Sequence, residues 1–341
     1  MKLRSAGHLP SVSIVILNWN GKDDTLACLD SVLATEYSNK CIVVVDNGST
    51  DGSATAIKNH FPSVELLETG KNLGYAGGNN VGIRHALSRG AEFVLLLNND
   101  TIVSADLVHA FVSTASRGSP DDVLGARIFY FDKPDILWFA GARWQSKTQT
   151  FVIEGLGLPD ASEFPEEREA DYITGCALFT SANTFKRVGL LDEKYFLTYE
   201  ETDWCYRARA RGLRCRVIPE AKLWHKVSAS FGGETSPLVT YFMTRNRLLW
   251  ARNHCSSHDL SAIRRQTWQQ LRIAVLPLFI LPKGTAGIAR RVVWGLATWW
   301  RKLRGGFASP QNRALLYAIR DYYLGSFGDC AEPVRRLSKR T

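Results

Sequence analysis

Val12–Leu17 is an unbroken apolar run rich in β-branched residues, the pattern of a strand buried on both faces. The pattern returns at Cys41–Val45, Val64–Leu67 and Phe93–Leu97. Between these runs the apolar positions shift to helical spacing. Leu26, Leu29 and Leu33 mark a helix over Lys22–Thr35, followed by a short helix over Ser53–His60 and a longer one over Ala76–Ser88. Thr50 or Asp51 is the expected N-cap of the short helix, and Gly90 the C-terminal cap of the longer one. This β-α-β-α-β-α-β rhythm predicts a parallel, doubly wound α/β sheet, whose ligands bind beyond the carboxyl ends of the strands.

The pattern loosens over Asp132–Glu169, which reads as an insertion of loops and short strands. Apolar order returns at Tyr172–Phe179. Helices follow over Thr184–Val188 and Glu201–Gly212, and a strand over Arg214–Ile218. Beyond Ser236 the pattern is helical to the end, so two domains are expected, 1–235 and 236–341.

Charge sharpens that division. The 341 residues carry a net charge of +9. From Ser236 to Thr341 there are 18 Lys and Arg against 4 Asp and Glu, a net of +14, which leaves −5 for the rest. A basic tail on a mildly acidic body points to an anionic partner, membrane or nucleic acid, unless it is only a solvated surface. On a helical wheel over Ile288–Arg304, Val292, Leu296, Trp299 and Leu303 share one side, bordered by Trp300 and Val293. Arg290, Arg291, Arg301, Lys302 and Arg304 take the other, with Trp294 among them as the exception. Such a helix can lie in the interface of an anionic membrane, or pack its apolar side on the first domain. Ile273–Leu281, the longest apolar run, holds Pro277 and is too short to span a bilayer. Met1–Pro10 lacks the apolar stretch of a signal peptide. The seven cysteines form no C-x-x-C pair and fit reduced, mostly buried thiols in a cytosolic setting.

Four polar clusters each follow a buried strand: Asn18-Trp19-Asn20-Gly21, Asp46-Asn47-Gly48-Ser49, Lys71-Asn72-Leu73-Gly74-Tyr75 and Asn98-Asn99-Asp100. One alone could be a turn. Four on one sheet edge imply a site. Neither G-x-G-x-x-G nor G-x-x-x-x-G-K-[ST] occurs, which argues against a dinucleotide oxidoreductase and a P-loop enzyme. A carboxylate at a strand end can instead hydrogen-bond a base or ribose, and a second can hold Mg²⁺ or Mn²⁺ against a diphosphate.

The blocks VSIVILNWNG (Val12–Gly21), VVDNGSTDG (Val44–Gly52), NLGYAGGNN (Asn72–Asn80) and LLLNNDT (Leu95–Thr101) resemble those of family 2 glycosyltransferases, above all the bacterial rhamnosyltransferase-like branch. The likeness continues through Gly175-Cys176-Ala177, FLTYEETDWCYR (Phe196–Arg207) and Trp224-His225, and covers about residues 11–250. It implies a GT-A-type fold with a mixed, mainly parallel sheet and a C-terminal helical appendage. It also implies a nucleoside-diphosphate sugar donor (dTDP- or UDP-linked), a divalent metal (Mn²⁺ or Mg²⁺) and inversion at the anomeric carbon. Residue by residue, Asp46 matches the aspartate that binds the base. Asn18, Asn47, Lys71, Asn72, Asn98 and Asn99 lie in nucleotide-sugar-binding blocks. Asp100 is the one carboxylate of the acidic metal motif, and His225 matches a histidine that completes the metal shell in some relatives. His225 also reads as a structural histidine beside Trp224. Within Glu200-Glu201-Thr202-Asp203 the family's general base falls on Glu201, with Asp203 as the alternative. Acidic residues also simply favour a helix N-terminus.

The resemblance therefore implies transfer of a sugar, such as the deoxyhexose rhamnose, to a glycan or lipid-linked acceptor in cell-surface polysaccharide synthesis. The expected place is cytoplasmic, peripheral on the inner face of the cytoplasmic membrane, with no nucleic-acid partner. The alternatives are a nucleotide-sugar-binding protein with weakened catalysis, for which the reduced Asn98-Asn99-Asp100 motif speaks, and a nucleotidyltransferase, which would want a glycine- and lysine-rich N-terminal signature. The oligomeric state stays open.

Overall fold

The computed structural model describes residues 9–160, 166–227, 236–275 and 288–338. The chain falls into two compact units, Met1–Ala229 and Ser230–Thr341.

The first unit opens with β1 (Val12–Asn18), α1 (Lys22–Leu33), β2 (Lys40–Asp46), α2 (Ser53–His60), β3 (Glu65–Glu68), α3 (Gly74–Ser88) and β4 (Phe93–Asn98). Next come β5 (Thr101–Val103), α4 (Leu107–Arg117), β6 (Val123–Tyr130), β7 (Leu137–Phe139), β8 (Ala142–Gln145), β9 (Thr150–Ile153) and β10 (Arg168–Ala170). It closes with β11 (Ala177–Ser181), α5 (Ala182–Val188), α6 (Glu200–Arg209) and β12 (Cys215–His225). The sheet order is β10-β12-β6-β11-β4-β1-β2-β3, with β5 on β12 and β7 on β6. β4, β1, β2 and β3 run parallel. β11 is antiparallel to both β4 and β6, and β12 is parallel to β6. The sheet is thus mixed and mainly parallel.

The continuous apolar runs became strands because both faces are covered. Ile14, Val15, Val44, Val45 and Leu95 are buried in one core with Phe111, Phe179 and Trp204. Several helix ends shift by one to three residues from the sequence expectation, and two differences bear on the site. α2 is capped by Gly52 in the left-handed region (φ 84°) rather than by Thr50 or Asp51, while Asp51 Oδ1 accepts from the Ser53 N–H at 3.0 Å. β12 runs past Ile218 to His225, because a register shift between Ile218 and Lys222 absorbs Pro219. That extension carries His225 to the carboxyl edge of the sheet.

The second unit is helical: α7 (Pro237–His254), α8 (Ser257–Val275), α9 (Ile288–Ala308), α10 (Pro310–Leu324) and α11 (Glu332–Ser338). Ser236 caps α7, its Oγ accepting from the Val239 N–H at 3.2 Å, with Pro237 in the first turn. Arg245 is fully buried, donating to Tyr241 Oη at 3.1 Å and to the Gly328 carbonyl at 2.7 Å, so its charge is met inside the fold. Among the described residues no helix is long and apolar enough to cross a membrane. Ile273–Leu281 lies largely outside the described residues. All seven cysteines are free, and five are buried.

Candidate active site

β1, β2 and β4 end together. Asn18 and Asp46 are register partners, and Leu17 pairs with Asn98. β11 runs the opposite way, so its first residues return to this edge: Ala177 pairs with Leu97, and the Asn98 N–H donates to the Cys176 carbonyl at 3.1 Å. β12 arrives there too, His225 pairing with Thr101.

Asn18 is fully buried and braces the edge. Its amide donates to Asp46 Oδ1 at 2.8 Å and to Ser49 Oγ at 3.1 Å, while its Oδ1 accepts from the Gly21 N–H and the Thr25 hydroxyl. Asn99 joins the same brace, donating to Thr25 Oγ1 at 2.9 Å and Asn18 Oδ1 at 3.3 Å. Asp46 Oδ2 accepts from the Ser49 N–H at 3.1 Å, which fixes the carboxylate at the strand end. Asn47 and Asn72 hold the start of α3: Asn47 Oδ1 accepts from the Leu73 N–H at 2.9 Å, and Asn72 Oδ1 from the Gly74 N–H at 2.8 Å. Asn47 also donates to Asn72 Oδ1 at 3.1 Å. Lys71 has an exposed side chain, and its carbonyl accepts from the Thr69 hydroxyl at 2.8 Å. Asn98 ends β4 with a half-buried side chain.

Asp100 and His225 meet, although 124 residues separate them in the chain. Both are 7% exposed, and His225 Nε2 lies 3.1 Å from Asp100 Oδ1. That approach lacks hydrogen-bond geometry: Asp100 Oδ1 and His225 Nδ1 are buried polar atoms without a hydrogen-bond partner. An orphaned carboxylate oxygen is costly to leave unmet, and Asp100 Oδ1 facing His225 Nε2 suits a cation held by both, whereas the orphaned Nδ1 is the other ring nitrogen. Among the described residues no third His, Cys, Asp or Glu joins the pair to complete a cage. The two therefore fit part of a divalent-metal site, and its remaining positions would need ligands other than these side chains. The ring packed on His225 is Trp138, edge-on at 4.6 Å, whereas Trp224 stacks on Phe129. Next along the chain, Lys226 pairs with Asp24 at 2.7 Å, and its N–H donates to the Asp100 carbonyl.

The second acidic cluster sits at the start of α6. Phe196, Thr198 and Tyr199 all have positive φ (62°, 66° and 70°), a strained entry that the neighbouring structure must hold. The Phe196 carbonyl accepts from the Tyr75 and Ala76 N–H groups at 2.6 and 3.3 Å. Gly74 (φ 75°) permits this contact, since a Cβ there would collide with the Phe196 backbone and ring. Glu200 is buried and Glu201 half-buried, each with one oxygen lacking a partner. Burial, and then the charge of Glu201, pushes Glu200 well above the usual carboxyl range. Burial also raises Glu201, but the N–H groups of Glu201, Thr202 and Gly175 and the Glu200 carboxyl favour its ionised form. Of the pair, Glu200 therefore holds a proton the more tightly. Asp203 is occupied otherwise: its oxygens accept from Tyr195 Oη at 3.2 Å and Arg207 Nε at 2.8 Å.

Residues 13–177 match the sequence profile of Glycosyl transferase family 2. Over those residues the chain is that of a family 2 glycosyltransferase. It is 26% identical over 266 residues, 76% of this chain and 81% of the relative, to the low-salt glycan biosynthesis hexosyltransferase Agl10 of Haloferax volcanii. It is 26% identical over 261 residues, 69% of this chain and 78% of the relative, to the N-acetylglucosaminyl-diphospho-decaprenol L-rhamnosyltransferase of Mycobacterium tuberculosis. Its fold is that of the mannosyltransferase PcManGT from Pyrobaculum calidifontis, solved with GDP-Man and Mn²⁺. That likeness has a TM-score of 0.53 at 13% identity, over 94% of this chain and 88% of the other. The fold is thus GT-A, as the blocks implied.

For this glycosyltransferase the sequence named the residues at the strand ends but not Glu200, Lys226 or Trp138. Glu200 stood in the acidic cluster without a role, and Lys226 adjoins the Trp224-His225 block. Trp138 lies in an insertion without a motif, and only the fold brings it to His225.

Proposed function

We propose that the enzyme transfers a deoxyhexose such as rhamnose from a dTDP- or UDP-linked donor to a glycan or lipid-linked acceptor, with inversion, in cell-surface polysaccharide synthesis. The observation that carries this reading is the meeting of Asp100 and His225 at the sheet edge where Asp46 ends β2. The sugar and the lipid-linked acceptor rest on the likeness to the mycobacterial L-rhamnosyltransferase.

In this reading Asp46, fixed by Asn18 and Ser49, takes the nucleoside, and Asn47 and Asn72 shape the wall of its pocket through the start of α3. Asn18 and Asn99 brace rather than touch. Asp100 and His225 hold the divalent cation, which when bound offsets the charge of the departing diphosphate. Glu201 removes the proton from the acceptor hydroxyl as that oxygen bonds to the anomeric carbon, and the nucleoside diphosphate leaves from the opposite face. Asp203, held by Tyr195 and Arg207, anchors the helix. A thermal-shift panel tests the donor. With Mn²⁺ present, dTDP-rhamnose should raise Tm more than UDP-glucose, UDP-N-acetylglucosamine or GDP-mannose. A larger shift with another sugar would replace rhamnose, and no shift with any would contradict the reading.

The membrane surface is part of the same proposal. On α9, Leu303 packs beside the buried cluster of Leu271, Val275, Leu315 and Ile319. Ile288, Val293 and Trp300 are 71%, 62% and 54% exposed, and Val292 and Leu296 are exposed as well. The apolar side is thus only partly used in packing. Trp294 sits among the arginines because the Arg290 guanidinium lies over its ring, 5.1 Å from the centroid. An exposed apolar strip beside basic residues suits an interface rich in anionic lipid. Co-sedimentation should show salt-sensitive binding to vesicles containing phosphatidylglycerol, weakened by Trp299→Ala with Trp300→Ala. Equal recovery in the supernatant with neutral and anionic vesicles would rule it out.

A further inference from the structure

We infer that Tyr75 is a positioning residue for the general base: its phenol binds the Gly175 carbonyl and its backbone N–H the Phe196 carbonyl, so that it ties together the two segments beside the start of α6. The inference rests on the assignment of Glu201 as the base, and it gives a role to a side chain that lies between the catalytic blocks.

Tyr75 is the second residue of α3. Its hydroxyl donates to the Gly175 carbonyl at 2.6 Å, across 100 residues of sequence. Gly175 must be glycine for this contact, because a Cβ there would collide with the Tyr75 hydroxyl. The loop that leads into Gly175 lies on α6, the Ile173 N–H donating to Cys205 Sγ at 3.4 Å, and the Gly175 N–H is among the groups that favour the ionised form of Glu201. The backbone of Tyr75 is fixed on the same helix entry, its N–H donating to the Phe196 carbonyl at 2.6 Å. One residue therefore holds both segments that frame Glu201, the strained entry to α6 through its backbone and the Gly175 loop through its phenol. Burial and the nearby charges of Glu200, Glu201 and Asp100 raise the phenol well above its ordinary value. It stays protonated, and so remains a donor to Gly175 throughout the working pH range. The arrangement joins the blocks around Asn72–Asn80, Gly175 and Phe196–Arg207 through a single residue.

The test is a double-mutant cycle on nucleoside-diphosphate release, with Mn²⁺ and the nucleotide sugar that gives the largest thermal shift. Tyr75→Phe removes only the hydroxyl. It should lower kcat about tenfold, with donor KM unchanged within about twofold. In a Glu201→Gln background the same change should cost less than about twofold, since the base it positions is gone. Gly175→Ala, which displaces the hydroxyl without altering Tyr75, should reproduce the loss of kcat and serves if Tyr75→Phe folds poorly. A tenfold fall in both backgrounds, a rise in KM at constant kcat, or no change from Tyr75→Phe would overturn the inference. If Glu201→Gln itself keeps full rate, the base assignment fails instead, which separates the two outcomes.

Discussion

Glu201→Gln is expected to lower kcat by on the order of 10²–10⁴, with donor affinity retained. The substitution keeps the size of the side chain and its place at the start of α6 but removes the proton acceptor. Asp203 does not take over, because Tyr195 and Arg207 occupy both its oxygens. Asp203→Asn should therefore act mainly on stability through the lost Arg207 pair, and a dead Asp203→Asn beside a normal Glu201→Gln would move the base one step along the helix. The pH dependence follows from the same carboxyl. Burial raises Glu201, and Glu201 must be ionised to act, so the acid limb of kcat lies above the ordinary glutamate range and activity falls as pH drops through it. Stability runs the other way. A carboxyl whose folded pKa is raised binds its proton more tightly in the folded state, so its contribution is present below the unfolded value and is lost as pH rises through the folded one. Glu200, buried and raised further, adds to the same trend. The site thus works in the pH range where its carboxyls destabilise the fold, and Glu201→Gln should raise Tm at neutral pH while it removes activity.

Asp100→Ala is expected to lower Mn²⁺-dependent turnover by on the order of 10² or more, because the several kcal/mol that a cation supplies to a departing diphosphate depends on its ligands. The fold should survive. Asp100 has its backbone in place, its carbonyl accepting from the Lys226 N–H, and its side chain carries an oxygen with no hydrogen bond to lose. Steady-state rates over a Mn²⁺ titration check this. Full activity at saturating Mn²⁺ would remove Asp100 from the metal site.

Much of this was legible before the structure. The strands at Val12, Cys41 and Phe93 announce themselves because a parallel sheet covered on both faces needs unbroken apolar runs. The polar residues that end them must then lie together, since parallel strands share a carboxyl edge. Helix α4 and strand β6 carry no such polar punctuation. Their signal is weaker, Leu107, Val108 and Phe111 at helical spacing and the apolar Val123–Tyr130. The reach of β12 was hidden by Pro219, which locally reads as a strand end and is in fact absorbed by a register shift. The roles divided differently as well. Asn18 and Asn99 belong to a nucleotide-binding block by sequence, and their side-chain nitrogens also brace the edge, a role that no local pattern shows. No local pattern reveals that Tyr75 reaches Gly175, because that contact exists only once β11 doubles back beside β4.

The most direct test of the account is to locate the cation. Crystals grown with Mn²⁺ and a nucleoside diphosphate, measured at the manganese absorption edge, should show one strong anomalous peak at about 2.0–2.3 Å from both Asp100 and His225. A peak held by Glu200 and Glu201, or one that touches neither Asp100 nor His225, would contradict the assignment of the two acidic clusters.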